Sequence, residues 1–205
     1  MRKILVASTN PGKLRELREM LGGDIEWVGL KDFPNVGEIE EDGLTFAENA
    51  RKKAIGYAKA TGLWTLADDS GLVIDALKGE PGVKSARFAG AKDKDRKVVD
   101  RKNFEKVLRL LKGVPKEKRQ ARFVCRLCLA SPQKVLAETQ GELEGVIIDE
   151  PAGENGFGYD PIFFVPSRNK TVAQLTAEEK NAISHRGSAI RKLKSLLGGL
   201  AVVAE

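Results

Sequence analysis

Arg2-Lys-Ile-Leu-Val-Ala-Ser-Thr-Asn-Pro-Gly-Lys13 has the pattern of a buried strand that passes directly into a helix. The first seven of these residues are mostly apolar and form the predicted strand. Asn10 is a favoured N-cap residue and Pro11 suits the first helical position, so we expect a helix to start there. That helix should run to about Leu21, where Gly22-Gly23 ends it. A strand leading into a helix is typical of folds in which helices cover a sheet.

The rest of the chain continues this alternation and then changes it. Further strands are predicted at residues 25–28, 64–67, 72–77, 122–130, 135–143 and 161–165. Further helices are predicted from the capping box Thr45-x-x-Glu48 to about residue 60 and at residues 92–111. The capping box Thr176-x-x-Glu179 leads into a helical C-terminal region that ends near residues 198–199. Strands and helices alternate early and antiparallel strands follow, which predicts a mixed α/β sheet.

Length and composition exclude several classes of protein. The chain has 205 residues, of which 41% are hydrophobic and 31% charged. It can therefore bury a core as one compact domain or as two closely joined lobes, and a disordered or collagen-like chain is excluded. We expect any lobe boundary in the loops at residues 113–115 and 151–158. Because no apolar run approaches the roughly 18 residues of a membrane helix, we expect a soluble, cytoplasmic protein with no membrane partner.

The net charge of +6 leaves an anionic partner open, whether nucleic acid, a phosphorylated metabolite or a membrane surface. It is unevenly distributed. Residues 92–122 carry a net charge of +8, and the other residues together carry −2. The surplus lies on the predicted long helix and the loop after it, outside the motifs discussed below. We interpret it as mainly a solvated helical face.

Cys125 and Cys128 are spaced as C-x-x-C, which could indicate a redox motif or half of a zinc site. They lie in a strand-like run, however, where positions three apart point to opposite faces. No second cysteine pair exists. We expect two ordinary buried cysteines.

Two polar clusters could bind phosphate and metal. The turn Ser8-Thr-Asn-Pro-Gly-Lys13 offers backbone N–H groups, a helix dipole and a lysine to a phosphate, although a capped helix with a surface lysine has the same pattern. Asp68-Asp69-Ser70, placed in a predicted turn between strands, could hold Mg²⁺ or could simply form local turn hydrogen bonds. The acidic loop with Glu40 and Glu41 could supply another carboxylate.

Two further segments could recognise a base. In the glycine-rich segment at 153–161, Phe157 and Tyr159 could stack on a purine while Asp160 accepts from its ring N–H. A hairpin loop anchored by its aromatic residues is the alternative. His185 and Arg186, at a predicted helix start, could donate to a carbonyl oxygen, although a lone histidine is more often a structural hydrogen-bonding residue.

Five motifs in a fixed order strongly resemble the inosine triphosphate pyrophosphatase family, also called XTP/dITP diphosphatases. They span nearly the whole chain, from residue 7 to about residue 193. The motifs are Ser8-Thr-Asn-Pro-Gly-Lys13, Ala67-Asp-Asp-Ser-Gly-Leu72, Gly79-Glu-Pro-Gly-Val-Lys-Ser-Ala-Arg87, Phe157-Gly-Tyr-Asp-Pro161 and Ser184-His-Arg-Gly187.

This resemblance implies a single inosine triphosphatase-like domain over residues 1–205, two-lobed and α/β. Its long central mixed sheet would be flanked by helices, with the active site in the cleft between the lobes. It also implies a homodimer and Mg²⁺-dependent hydrolysis of ITP, dITP and XTP to the monophosphate and pyrophosphate, which removes deaminated purines from the nucleotide pool.

The resemblance also implies a role for each residue that matches a motif. Asp69 would bind Mg²⁺ and act as the general base, with Glu41 or its neighbour Glu40 as the second metal carboxylate. Phe157 would stack on the base, while Asp160, His185 and Arg186 would contact its edge. The residues that would hold the triphosphate are Thr9, Asn10, Lys13, Lys53, Ser70, Arg87 and Lys180. The remaining substrate-binding positions are Ser8, Pro11, Gly12, Gly158 and Tyr159.

Two other functions remain open at this point. A related pyrophosphatase acting on another nucleotide, such as a modified pyrimidine, would share the phosphate site and differ at the base-binding residues. A nucleic-acid-binding protein would suit the basic charge, but it would bind with a steep salt dependence and hydrolyse nothing.

Overall fold

The computed structural model describes residues 2–21 and 25–201. Its strands are β1 (Arg2–Ala7), β2 (Ile25–Gly29), β3 (Trp64–Ile74), β4 (Gln120–Ala130), β5 (Val135–Ile147), β6 (Phe163–Val165) and β7 (Lys170–Thr171). Its α-helices are α1 (Pro11–Leu21), α2 (Phe46–Thr61), α3 (Arg96–Leu110), α4 (Ala177–Ile183) and α5 (His185–Ala201).

The strands of these described ranges form one seven-stranded sheet in the order β2-β1-β3-β4-β5-β6-β7. β1 is parallel to both β2 and β3, and Leu5 pairs with Val28 on one side and Thr65 on the other. β6 is antiparallel to β5 and to β7. Parallel neighbours need a crossover, which α1 and α2 supply along the chain. The predicted mixed α/β fold is confirmed.

The chain divides into two compact units, and each has its own core. The first comprises Met1–Asp69, Cys125–Gly141 and His185–Glu205; the second comprises Ser70–Val124 and Glu142–Ser184. The divisions fall inside β3, β4 and β5 and between α4 and α5, not in the two loops where we expected a boundary. The reason is that these three strands are long enough to contribute residues to both units.

The predicted turn at Asp68-Asp69-Ser70-Gly71 is wrong, because these residues lie inside the continuous strand β3. The high turn propensity of Asp, Ser and Gly wrongly indicated a break between two strands. The carboxylate of Asp68 is neutralised by cations from distant parts of the chain, so this stretch can remain extended and buried.

Smaller differences concern where elements begin and end. α3 starts at Arg96, not Lys92, because the side chain of Asp95 caps it by accepting from the Lys97 backbone N–H. The segment Asp160–Ile162 forms a 3-10 turn, which delays β6 to Phe163. α5 continues through residues 198–199 to Ala201. The predicted stop of α1 at Gly22-Gly23 lies outside the described residues.

Both cysteines are buried and free, as expected. Cys125 belongs to one apolar cluster of the first unit and Cys128 to another, which agrees with opposite faces of β4. Burial raises the pKa of the Cys128 thiol to about 12. Among the described residues, no helix is both long enough and apolar enough to cross a membrane.

Candidate active site

The predicted site residues divide between the two units. The first unit contains the turn at residues 8–13 together with Glu40, Glu41, Lys53, Asp69, His185 and Arg186. The second unit contains Ser70, Arg87, Phe157, Gly158, Tyr159, Asp160 and Lys180.

The turn after β1 has the predicted geometry of a capped helix start. The backbone N–H groups of Gly12 and Lys13 donate to Asn10 Oδ1 at 2.9 and 3.3 Å, and Asn10 N donates to Ser8 Oγ at 3.2 Å. Thr9 is exposed. Lys13 is not a simple surface lysine, because its side chain is only 15% exposed and forms an ion pair with Asp68.

Asp68 is the centre of a buried ion cluster. Its Oδ1 pairs with Lys13, and its Oδ2 accepts from Arg186 Nε at 2.8 Å. Arg186 also pairs through Nη1 with Glu16, and this arginine is 1% exposed. Burial opposes ionisation of Asp68, but the charges of Arg186 and Lys13 outweigh burial and hold its pKa well below the usual range. Asp68 is therefore a buried anchor for two cations.

Asp69 lies next in β3 and belongs to a different cluster. Consecutive strand residues point to opposite faces, so the two carboxylates are directed apart. Lys53 Nζ lies 3.7 Å from Asp69 Oδ1 and 3.0 Å from Glu41 Oε2, and it donates to the backbone oxygen of Asp68 at 2.8 Å. One buried ammonium thus lies between two carboxylates.

Asp69 is harder to ionise than an ordinary aspartate. Burial raises its pKa to about 6, and the negative charges of Glu41 and Asp68 add to this effect against the opposing charges of Lys53 and Lys13. A carboxyl group with a pKa in this range can accept a proton near neutral pH.

The residues around Asp69 fit a magnesium ion. Asp69 Oδ2 is buried and has no hydrogen-bond partner, which leaves a carboxylate oxygen available as a ligand. Within the described ranges, no group of three or more histidine, cysteine or acidic residues is arranged to hold a metal. Mg²⁺ favours a coordination shell in which two carboxylates are joined by water and by substrate phosphate oxygens.

The acidic loop runs along one side of α2. We call residues 39–43 the acidic strap. Burial alternates along it: Ile39, Glu41 and Gly43 are partly buried, whereas Glu40 and Asp42 are exposed. The structure therefore separates the two candidate metal carboxylates and brings Glu41, not Glu40, to Lys53 and Asp69.

Three contacts fix the register of the acidic strap. Four helical residues rise about 6 Å and two extended residues about 6.6 Å, so every second strap residue can meet every fourth helix residue. The pairs are Ile39 N with Tyr57 Oη (3.3 Å), Glu41 Oε2 with Lys53 Nζ (3.0 Å) and Gly43 N with Asn49 Oδ1 (2.8 Å).

In the second unit, Lys180 links two predicted base-binding residues. Its Nζ lies 2.6 Å from Asp160 Oδ2 and 4.5 Å from the centroid of the Phe157 ring. Phe157 N also donates to Asp160 Oδ2 at 2.9 Å. Gly156 has a φ of +77°, and a Cβ there would lie 2.0 Å from the Asp160 carboxylate, so this turn requires glycine. The family resemblance implies that Lys180 holds the triphosphate, whereas the contacts of Lys180 in the structure are with Asp160 and the Phe157 ring.

The expectation of two aromatic faces in one exposed loop is wrong for Tyr159. Its side chain is buried in the apolar core of the second unit, and its hydroxyl donates to the Ser85 backbone oxygen at 2.8 Å. Burial raises the pKa of this phenol. Phe157 remains partly exposed and is the ring that a base can reach.

The other predicted residues occupy different local environments. Arg87 is exposed at the end of the 3-10 helix Gly82–Arg87, and Ser70 is half-buried in β3. His185 begins α5 as predicted and is buried, as is Arg186. Arg186 donates to Asp68 through Nε and to Glu16 through Nη1. A contact between Arg186 and a base would therefore use the other N–H groups of the guanidinium.

The sequence did not identify Glu16, Asn49 and Tyr57 as residues that hold the site. Glu16 could have been found, because it follows Lys13 by three positions on α1 and so lies on the same side of that helix. Asn49 and Tyr57 give a weaker signal, since only the structure shows which segment they contact.

Known proteins match this chain over nearly its whole length. The model of the Ham1 family matches residues 4–196. A dITP/XTP pyrophosphatase from Bacillus subtilis is 50% identical over 200 residues, covering 96% of this chain and 98% of the relative. Another, from Geobacter sulfurreducens, is 50% identical over 199 residues, covering 97% and 98%.

Solved structures agree with these sequence matches. The Ham1 protein of Staphylococcus aureus has a TM-score of 0.85 and 41% identity, covering 97% of this chain and 99% of its own. A HAM1 protein from Coxiella burnetii has a TM-score of 0.86 and 44% identity, covering 97% and 100%. The ordered motifs, the mixed sheet and these full-length matches lead to one conclusion: the chain belongs to the Ham1 family.

Proposed function

We propose that this chain is a Mg²⁺-dependent nucleoside triphosphate pyrophosphohydrolase that converts ITP, dITP and XTP to the monophosphate and pyrophosphate. The relatives named dITP/XTP pyrophosphatase support the reaction and the substrate class. The observation that carries the proposal is the buried carboxylate of Asp69, which has an oxygen without a partner beside Glu41 and Lys53.

In this proposal Asp69 acts as the general base. Its raised pKa, about 6, suits it to take the proton from the attacking water near neutral pH. The oxygen of that water forms the new P–O bond, and the phosphoanhydride bond to the leaving pyrophosphate breaks. Lys13 and Lys53 place positive charge beside the reacting phosphates, where charge develops as the bond breaks.

Asp69 and Glu41 would hold the magnesium ion. When bound, Mg²⁺ would neutralise phosphate charge and polarise the reacting phosphoryl group. The Asp68 cluster would keep Lys13 in position, because Asp68 holds that ammonium in a buried ion pair.

Base selection would rest on hydrogen-bond donors and on stacking. Hypoxanthine and xanthine carry a carbonyl at C6, where adenine carries an amino group. Donors from His185 and Arg186 would pair with that carbonyl and would be left unpaired by ATP, and buried unpaired groups can discriminate by roughly 10⁴ or more. Phe157 would stack on the base, while Asp160 would accept from its ring N–H.

Product analysis with ITP and Mg²⁺ tests the proposal. We expect IMP and pyrophosphate in equal amounts, with far slower turnover of ATP. Release of orthophosphate would contradict the reaction, and equal rates on ITP and ATP would contradict the base selection. Single-turnover samples analysed by ³¹P NMR distinguish the products directly.

We also propose that the enzyme is a homodimer acting on the cytoplasmic nucleotide pool. The family resemblance supports the dimer, and the substrate class supports the compartment. Light scattering coupled to size-exclusion chromatography should give a mass near twice the 22.4 kDa of one chain. A monomer mass at micromolar concentration would contradict the dimer.

A further inference from the structure

Helix α3 is unusual because its buried side carries two polar residues beside the buried Val99 and Val107. Asp100 and Asn103 are 7% and 1% exposed, whereas a buried helix face is normally apolar. Together with Lys106 they form a stripe three residues apart. Burying such groups costs free energy unless they are hydrogen-bonded, so their partners show what the stripe does.

Asn103 binds the backbone on both sides of Arg87. Its Oδ1 accepts from Ala89 N at 2.7 Å, and its Nδ2 donates to Ala86 O at 3.3 Å. Lys106 adds a third contact, since its Nζ donates to Phe88 O at 2.7 Å and lies 4.1 Å from the centroid of the Phe88 ring. The segment that presents the exposed Arg87 is thus attached to α3 by three backbone hydrogen bonds.

Asp100 binds the glycine-rich segment immediately after Phe157. Its Oδ2 accepts from Gly158 N at 2.9 Å, and Arg96 Nε lies 2.9 Å from its Oδ1. A charged acceptor makes a stronger hydrogen bond to a backbone N–H than a neutral one. This contact holds the backbone of Gly158, which connects Phe157 to the buried Tyr159.

We propose that Asn103 is a positioning residue for Arg87 and Asp100 a positioning residue for Phe157. The two residues are three positions apart, about 4.5 Å along the axis, so a single rigid helix aligns a phosphate-binding side chain and a base-binding ring. The inference rests on the proposed function for the roles of Arg87 and Phe157, and it assigns a function to a helix outside all five motifs.

Two fragments of the substrate separate the two halves of the inference. Inorganic tripolyphosphate probes the phosphate-binding groups, and inosine probes the base-binding groups, each as a competitive inhibitor of ITP hydrolysis. We expect Asn103→Ala to raise the inhibition constant of tripolyphosphate about tenfold, because a misplaced Arg87 binds phosphate less well. The inhibition constant of inosine should change less than about twofold. Asp100→Ala should do the reverse.

Variants on the same helix provide the controls. Lys102→Ala, at an exposed position of α3, should leave both inhibition constants unchanged. Asp100→Asn keeps a neutral acceptor and should recover part of the inosine affinity. If Asn103→Ala does not fold, Asn103→Asp keeps the acceptor for Ala89 N but replaces the donor to Ala86 O by a charged carboxylate oxygen, and it should show the same selective effect.

Double variants separate failure of this inference from failure of the proposed function. Arg87→Ala combined with Asn103→Ala should weaken tripolyphosphate no further than Arg87→Ala alone. If Arg87→Ala by itself has no effect, the proposed role of Arg87 is wrong. The positioning role of Asn103 is overturned if Arg87→Ala weakens tripolyphosphate binding and Asn103→Ala does not. Both positioning roles are overturned if Asn103→Ala and Asp100→Ala each weaken the binding of both fragments equally.

Discussion

Asp68 and Asp69 are adjacent in β3, yet their pKa values move in opposite directions. Both are buried. Asp68 faces two cations that outweigh the cost of burial, and its pKa falls. For Asp69 burial dominates, and its pKa rises to about 6. The alternation of side chains along a strand thus gives one carboxylate a structural role and leaves the other suited to proton transfer.

The raised pKa of Asp69 predicts a pH-dependent stability. The folded chain holds more protons than the unfolded chain between about pH 4 and 6, so this group lowers stability as pH rises through that interval. Above pH 6 the cost is constant at about 3 kcal/mol. Asp69→Asn removes the cost. In metal-free buffer we expect the free energy of unfolding of Asp69→Asn to equal that of the wild type at pH 4. At pH 7.5 we expect it to exceed the wild-type value by about 3 kcal/mol.

Urea unfolding at the two pH values measures this difference. A gap of equal size at pH 4 and pH 7.5 would show that the Asp69 pKa is ordinary. The same variant should have no measurable turnover of ITP, because it cannot accept the proton from water. Near-normal activity would remove Asp69 from the mechanism.

Asp68 should instead be essential to stability. Asp68→Asn removes the carboxylate that Lys13 and Arg186 share in a buried site and leaves Glu16 paired with Arg186, and losing one partner of such a cluster costs about 3–5 kcal/mol. Asp75→Asn is the matched control, since its pair with Arg122 is solvent-exposed and worth at most about 1 kcal/mol. Equal midpoint shifts of the two variants in urea would contradict a buried cluster of this strength.

At the scale of elements, the acidic strap determines which glutamate faces Asp69. We expect Glu41→Gln to raise the dissociation constant for Mn²⁺, used as a Mg²⁺ substitute, by at least about tenfold, because a metal carboxylate is lost. Glu40→Gln should change it less than about twofold, since Glu40 is exposed on the other side of the strap. Electron paramagnetic resonance of free Mn²⁺ measures binding without turnover. A larger effect at Glu40 would show that the register is wrong.

Local signals predicted most elements, and distant partners explain where they failed. The N-cap at Asn10 and the capping boxes at Thr45 and Thr176 depend only on residues within a few positions, and each begins a helix as predicted. The stretch from Asp68 was misassigned because its neutralising partner Arg186 lies 118 residues away. The same limit hid Asn103, whose partners lie 14 and 17 residues away.

For the molecule as a whole, the distribution of charge matters more than its sum. The basic surplus at residues 92–122 is mostly exposed, as expected, with the exceptions of the buried Arg119 and the partly buried Lys106 and Arg122. Arg119 is buried, donates to Asp149 Oδ1 at 2.6 Å and also binds two backbone oxygens. The surplus is therefore largely a solvated surface and not part of the candidate site.

This distribution predicts that the surplus can be reduced without loss of function. Replacing Lys97, Lys102 and Lys118 together by glutamine halves the net charge of +6. We expect KM for ITP at physiological salt to change less than about twofold, because exposed charges are screened beyond about 8 Å. Lys53→Met, a single change at a buried cation, should reduce kcat/KM far more. If the triple variant loses as much kcat/KM as Lys53→Met does, the basic surplus belongs to the candidate active site.

The buried ion cluster also has a consequence for protein synthesis. Glu16 and Asp68 are made 170 and 118 residues before Arg186, the cation that both of them bind. At about 5–20 residues per second, Asp68 waits roughly 6–24 s for that partner on the ribosome. The strand that carries Asp69 therefore lacks one of the cations that neutralise Asp68 until the start of α5 has been translated. A chain synthesised only as far as α4 would hold Asp68 with Lys13 but without Arg186, so the active site can be completed only after the start of α5 has been translated.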